Sequence, residues 1–172
     1  MASFIGEFAC KLDAKLRIAL PSGLKKQMPV SAEGRFVINR GFEKHLVLYP
    51  FHEWEAITEE LNELNLYVKK HREFVRYLHR GATELTLDGS GRLLLPKRLL
   101  TYAGIKDEVV LLAYSKRIEV WDSELYESML EDEPEDFSKL AEEIMGDKDS
   151  SETEDTNREI REFPSPSPQQ RH

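Results

Sequence analysis

Only one cysteine, Cys10, occurs in 172 residues. An intrachain disulfide is therefore impossible, a cysteine-built metal site has no support, and the composition suits a reducing compartment. Long hydrophobic runs are missing too. The longest apolar stretch is Val109 to Tyr114, far short of the roughly 20 residues a membrane helix needs. The opening "MASFIGEFACKLDAK" has neither a basic leader nor a long apolar segment, so no signal peptide is expected and the expected location is cytoplasmic. No glycine-rich phosphate fingerprint leads a strand into a helix, and the "GSG" within "DGSGR" is not a nucleophile elbow. The histidines, His45, His52, His71, His79 and His172, fall at no metal-ligand spacing. These absences leave no catalytic residue, metal, cofactor or small-molecule substrate to name, and they point away from an enzyme.

Positive charge is also scarce, with a formal net charge of -8. That balance argues against a nucleic-acid partner only if the charge is evenly spread, and it is not. Residues 1–121 hold 19 Lys and Arg against 15 Asp and Glu, net +4, whereas residues 122–172 hold 5 against 17, net -12. The chain is a mildly basic body with an acidic extension. From about Gly146 the extension turns to Ser, Thr, Glu and Pro, too poor in apolar residues to offset the entropy of ordering, so disorder is expected there.

What the body does contain is a repeat. "CKLDAKLRIALP" (residues 10–21) and "LTLDGSGRLLLP" (residues 85–96) share Leu, Asp, Arg, Leu and Pro at identical spacing. The offset of 75 that sets Asp13 on Asp88 also sets Leu12 on Leu87, Arg17 on Arg92, Leu20 on Leu95, Pro21 on Pro96 and Leu24 on Leu99. Further on, "EKHLVLYPFHEW" meets "SKRIEVWDSELY" at an offset of 72, which pairs Tyr49 with Trp121 and Trp54 with Tyr126. The three extra residues of the first copy fall around "MPVSAEGR", which reads as a loop.

Each copy reads as a strand, a short Asp turn and a returning strand, taken together as a hairpin. A small helix follows, opened by Pro and, in the second copy, closed by Gly104, and then comes another strand pair. Trp54, Ile57, Leu61 and Leu64 lay an apolar stripe along a helix, and Asn65 is placed to cap a second one with Tyr67, Phe74, Val75 and Leu78 inward. Such a unit cannot bury both faces of its strands alone. Two units interleaved into one closed barrel can, and closure removes exposed edges. The expected fold is α+β and strand-dominated, with two tandem units about a pseudo-twofold axis and peripheral helices. The expected segments are residues 3–66, a joining helix at 67–80, residues 81–145 and the extension at 146–172.

In the Asp-x-x-x-Arg turns the carboxylates of Asp13 and Asp88 are suited to accept turn amides, and Gly89 and Gly91 allow positive φ. Leu16 stands where the second copy has Gly91, so the first turn either has another shape or carries strain on the order of 1 kcal/mol. Arg17 and Arg92 emerge at the start of the returning strands, where the partner of each is either the Asp of its own turn or a group outside the protein. A guanidinium fits guanine O6 and N7 in the major groove, and the ammonium of Lys15 suits a phosphate.

The paired motifs, the Pro after each, the aromatic ends of the units and the helical joint resemble the MraZ family, within the wider AbrB and MazE class of swapped-hairpin folds. The likeness covers about residues 3–145. It implies a bacterial transcriptional regulator of the division and cell-wall gene cluster, nucleoid-associated, which binds short direct repeats of double-stranded DNA in its promoter. It also implies a ring-shaped homo-oligomer whose Asp-x-x-x-Arg loops face the DNA, making Lys15, Arg17 and Arg92 the DNA-facing candidates. The family pattern usually has Gly before the first Arg, so Leu16 is a departure. A different reading is an antitoxin-like interaction module whose acidic extension wraps a basic protein. The basic stretch "KKHREFVRYLHR" (residues 69–80) serves either as a solvated helix face or as an extra phosphate contact. Trp54 and Trp121 read as core.

Overall fold

The computed structural model describes residues 3–131 and 136–146. It divides into two compact units, Met1–Met129 and Leu130–His172. In the first, the strands around each Asp turn do not fold back on one another. β1 (Phe4–Lys11) pairs antiparallel with β7 (Glu108–Ser115) of the other half, from Phe4 opposite Ser115 to Lys11 opposite Glu108. β2 (Arg17–Ala19) pairs with β6 (Arg92–Leu94), and β5 (Thr83–Thr86) with β3 (Arg35–Arg40). The hairpins read locally at each turn are therefore exchanged between halves, the swapped arrangement that the family resemblance implies. An isolated two-stranded hairpin has too little to pack against, whereas exchange places Leu12, Ile18, Leu20, Leu85, Leu93 and Leu95 in one shared core.

The later strands pair as expected, β3 with β4 (Leu46–Pro50) and β7 with β8 (Arg117–Asp122), and β4 joins β8 across the halves. The sheet order is β1-β7-β8-β4-β3-β5, beside a separate β2-β6 ribbon. Exchanging the halves, β1 for β5 and so on, maps every ladder onto another or onto itself. Among the described residues this is an open six-stranded sheet with β1 and β5 at its ends, and the backbone ladder does not close into a barrel.

The core repeats pairwise. Ile18 and Leu93, Leu20 and Leu95, Leu24 and Leu99, Ile38 and Leu111, Leu46 and Ile118, and Leu48 and Val120 are buried in both members of each pair. The aromatic ends recur with sizes exchanged: Tyr49 lies 5.7 Å from Trp54, and Trp121 lies 6.4 Å from Tyr126. Both tryptophans are buried. The loop expected at "MPVSAEGR" holds a single 3-10 turn, Val30–Ala32, followed by Glu33 and Gly34 at positive φ.

The helices are α1 (Ser22–Lys25), α2 (Phe51–Asn62), α3 (Lys69–His79), α4 (Lys97–Ala103), α5 (Ser123–Glu131) and α6 (Phe137–Met145). Pro21 and Pro96 precede α1 and α4 as N-cap residues, and Gly104 ends α4 at φ 63°. The α2 stripe faces inward, with Trp54 buried and Ile57 and Leu61 half-buried. α3 meets its expectation only in part: Val75 and Leu78 are half-buried, but the helix fully buries no residue, and Tyr67 and Phe74 are exposed. Asn65 does not cap α3; its side chain accepts from the Tyr67 amide, and Val68 holds the N-cap position. Polar contacts tie α3 down instead, from Asn39 Nδ2 to the Leu78 carbonyl and from Arg40 to the Tyr77 and Arg80 carbonyls.

In the second unit, α6 is N-capped by Asp136, whose carboxylate accepts from the Lys139 amide. Apart from Gly146 itself, the segment expected to be disordered lies outside the described residues. No described helix is long and apolar enough to cross a membrane.

Candidate nucleic-acid interface

The two Asp turns have the same geometry, bond for bond. The Asp13 amide donates to the Arg17 carbonyl at 2.9 Å and the Leu16 amide to the Asp13 carbonyl at 3.0 Å. Asp13 Oδ1 accepts from the amides of Lys15 and Arg17, and Oδ2 accepts from Arg17 Nε at 2.8 Å. In the second turn the Asp88 amide donates to the Arg92 carbonyl and the Gly91 amide to the Asp88 carbonyl. Asp88 Oδ1 accepts from the amides of Ser90 and Arg92, and Oδ2 from Arg92 Nε at 2.9 Å.

These donors hold both carboxyls below the usual carboxylate range. The largest cause is the backbone amide of the motif's own arginine, Arg17 for Asp13 and Arg92 for Asp88. The carboxylates are thus ionised and act as anchors for the loop, not as an acid-base pair.

The turn shape settles the Leu16 question. Leu16 sits at φ 63° where Gly91 sits at φ 74°, so the first turn keeps the same shape and carries the strain. Leu16 is half-buried against the core, and that packing offsets the backbone cost. Of the two glycines expected to use positive φ, only Gly91 does. Gly89 is outside that region, a Cβ there would meet nothing within 4 Å, and Ala14 is its counterpart.

The β2-β6 ribbon sets the two turns side by side, aided by bonds from the Leu20 amide to the Gly91 carbonyl and from the Leu95 amide to the Leu16 carbonyl. Arg17 Nη1 then lies 3.9 Å from Asp88 Oδ2, and Arg92 Nη1 lies 4.0 Å from Asp13 Oδ2. Two carboxylates and two guanidiniums alternate across the pseudo-axis. Among the described residues only the Nε of each guanidinium is hydrogen-bonded, so the Nη groups keep donors to spare. The arginine side chains stay 24% and 34% exposed, fixed in direction yet reachable.

Lys15 is exposed at the tip of the first turn, and its counterpart in the second turn is Ser90. The second turn receives an ammonium from elsewhere. A Cβ added to Gly91 would fall 1.9 Å from Lys25 Nζ, so the Lys25 side chain from α1 lies over that turn. Sequence reasoning missed Lys25, because its own counterpart, Leu100, is a buried core residue and nothing in the repeat marks the position.

The arrangement defines a class: an α+β protein of two exchanged units that displays twin Asp-x-x-x-Arg loops about one pseudo-twofold axis. A family model described as "MraZ protein, putative antitoxin-like" matches it twice, over residues 3–77 and 78–148, and the chain belongs to that family. It is 43% identical over 150 residues to a protein of Christiangramia forsetii named "Transcriptional regulator MraZ", an alignment covering 87% of this chain and 97% of the relative. A protein of the same name from Flavobacterium psychrophilum is 40% identical over 153 residues, 88% of this chain and 98% of the relative. One from Cytophaga hutchinsonii is 36% identical over 145 residues, 84% and 96% respectively.

Proposed function

We propose that this chain is a DNA-binding transcriptional regulator and no enzyme, and that the twin loops are its DNA-contacting surface. The observation that carries the reading is the pairing itself. Two guanidiniums are oriented by their own carboxylates with Nη donors to spare, and each turn bears one ammonium, Lys15 or Lys25. Oriented guanidiniums suit base edges in the major groove, and flanking ammoniums suit phosphates. The relatives' names support the regulatory role.

Within this reading the chain is cytoplasmic and nucleoid-associated, and its operator is a set of short direct repeats upstream of a division and cell-wall gene cluster. Residues 3–66 and 81–145 act as the two units, joined at 67–80. One or two cations per loop bind weakly, so the working form is a ring-shaped homo-oligomer that repeats the loops and gains avidity. Light scattering that finds a 20.0 kDa particle at micromolar concentration with full operator affinity contradicts the ring.

The test of the reading is a gel shift with the upstream region of the chain's own gene at two salt concentrations, against a scrambled duplex. A specific shift that survives the higher salt supports it. The family description favours one second reading, an antitoxin-like module, in which the acidic extension binds a basic protein partner. No specific shift, with co-purification of a small basic protein, favours that one.

A further inference from the structure

One cleft in the first unit has no role in the loops. It encloses about 530 Å³ between the end of α3, the start of β5, β3 and α4. Four cations line it, Arg40, Arg80, Lys97 and Arg98, over an apolar floor that includes Leu99 and Tyr102. Among the described residues none of the four has a carboxylate within 4.0 Å. Four like charges around one concavity repel one another, and repulsion in a partly desolvated cleft is stronger than on open surface. The arrangement is one that a bound anion relieves.

Arg40 is built in. Its Nε donates to the Arg80 carbonyl at 2.9 Å and its Nη2 to the Tyr77 carbonyl at 3.0 Å, while its guanidinium lies 4.6 Å from the Tyr77 ring and 5.4 Å from that of Tyr102. Tyr102 is itself fixed by its hydroxyl, which donates to the Gly41 carbonyl at 3.1 Å. Two of five N–H groups on Arg40 are thus spent on orientation, and the rest are available.

The pseudo-twofold mate of this cleft supplies the comparison. By register, Arg40 corresponds to Ala113, because Arg40 pairs with Leu46 and Ala113 with Ile118. At the offset of 75, Thr83 corresponds to Phe8, Lys97 to Ser22, Arg98 to Gly23 and Tyr102 to Gln27. The mate is filled. A Cβ at Gly6 would fall 2.6 Å from the Phe8 ring and one at Gly23 3.1 Å from it, and Gln27 bonds both the amide and the carbonyl of Ile5. The second copy is open because Thr83 stands in place of Phe8, and it carries cations at positions where the mate has none.

We propose that this cleft binds a small organic di- or triphosphate, with Lys97, Arg98, Arg80 and Arg40 on the phosphates and the floor of Leu99 and Tyr102 beneath the organic part. Its volume lies within the roughly 300–1,000 Å³ of small-molecule sites. It also lies at the end of β5 and β6 away from the Asp88 turn, since Thr83 opens β5 and Pro96 follows β6. The ligand therefore occupies a separate place from the DNA proposed to meet the loops.

The test is calorimetry on the full chain with ADP, adenosine and inorganic pyrophosphate as probes. The expected result is one ADP per chain, no detectable adenosine binding, and weaker binding of pyrophosphate than of ADP. Lys97→Gln/Arg98→Gln, two exposed positions, lowers ADP affinity at least about tenfold, the scale of one lost charge-assisted hydrogen bond, with an unchanged melting curve. Thr83→Phe, which reproduces the filled mate, abolishes ADP binding in protein that still melts cooperatively. Arg17→Ala and Lys15→Ala leave ADP binding unchanged. The proposal is overturned if ADP does not bind at millimolar concentration, if pyrophosphate binds as well as ADP, or if the Lys97/Arg98 variant binds ADP normally. It is also overturned if the Arg17 variant loses ADP, or if the Lys97/Arg98 variant instead loses only affinity for duplex DNA.

Discussion

Replacing Arg17 or Arg92 with alanine tests the loop reading, and the geometry fixes the relation between the two results. Each guanidinium is held by the same bond to its own Asp, 2.8 Å in one turn and 2.9 Å in the other. Arg92 has a local partner in Asp88 and Arg17 has the same partner in Asp13, so the two stand on equal terms. A bidentate base contact is worth about 1–3 kcal/mol, or about 5- to 150-fold in affinity for each loop engaged. The two alanine variants are expected to lower operator affinity by similar factors in that range, with little change for scrambled duplex. Arg17→Lys is expected to fail nearly as badly, since an ammonium can neither keep the Nε bond to Asp13 nor bind bidentately. Lys15→Ala and Lys25→Ala are expected to weaken both duplexes and to reduce the slope of log K against log salt by about one for each engaged contact. Fluorescence anisotropy with operator and scrambled duplexes at several salt concentrations, beside melting curves of each variant, reads all of this. Unchanged operator affinity in folded Arg17→Ala refutes the assignment, and a large loss in only one arginine variant refutes the equivalence of the loops.

Gly91→Ala should cost about 1 kcal/mol in urea unfolding because of its φ of 74°, whereas Gly89→Ala, with open space around it, should be neutral or slightly stabilising. His45 is buried and stacked on Trp121 at 4.4 Å, and burial pushes its pKa down despite the nearby carboxylates of Glu119 and Glu43, with Arg117 adding to the depression. The folded form therefore takes up its proton less readily than the unfolded chain, so the stability His45 lends is present above about pH 6.5 and is lost as pH falls below it. Urea midpoints between pH 7.5 and 5 should fall less steeply in His45→Phe than in the parent, and parallel curves refute this. Deleting residues 147–172 removes 7 Asp and Glu against 4 Lys and Arg, net -3, and should raise affinity for random duplex only slightly at low salt. A deletion from residue 131 removes net -9 and should raise it more, unless the extension is merely solubilising, in which case both truncations match the full chain.

The parts of the fold legible in the sequence are those that depend on a residue and its near neighbours. Asp13 and Asp88 announce a turn because every bond of that turn lies within four residues, though Leu16 leaves the shape of the first open, and Trp54 and Trp121 announce core because size and apolarity decide burial. Strand exchange is different. An Asp turn between two apolar strands reads alike whether the strands pair locally or with another half, so exchange is legible only through the resemblance to swapped-hairpin folds, and the long-range register of Phe4 with Ser115 carries it. α3 is half legible: Val75 and Leu78 turn inward as expected, but Phe74 and Tyr67 do not, because the helix is also held by side chains from β3 bonding its last carbonyls. Lys25 could not be found from the motif, since α1 brings it to the turn from outside the Asp-x-x-x-Arg window.

The two halves also differ in a way that separates one demand from another. Where they must pack against each other, counterparts stay apolar and buried, as with Ile18 and Leu93 or Leu48 and Val120. Where they form the loops, the bonding repeats even though one turn must strain a leucine to do so. Leu16 keeps that shape with its side chain packed against the core, so the fold itself offsets the strain of the first turn. At the α4 cleft nothing comparable constrains the copies: Phe8 fills one side, and Thr83 with four cations opens the other. A duplicated fold that repeats its bonding at the loops and differs at the α4 cleft can present a paired surface to one partner and a single site to another, which is what binding duplex DNA and a lone phosphate ligand on the same chain would require.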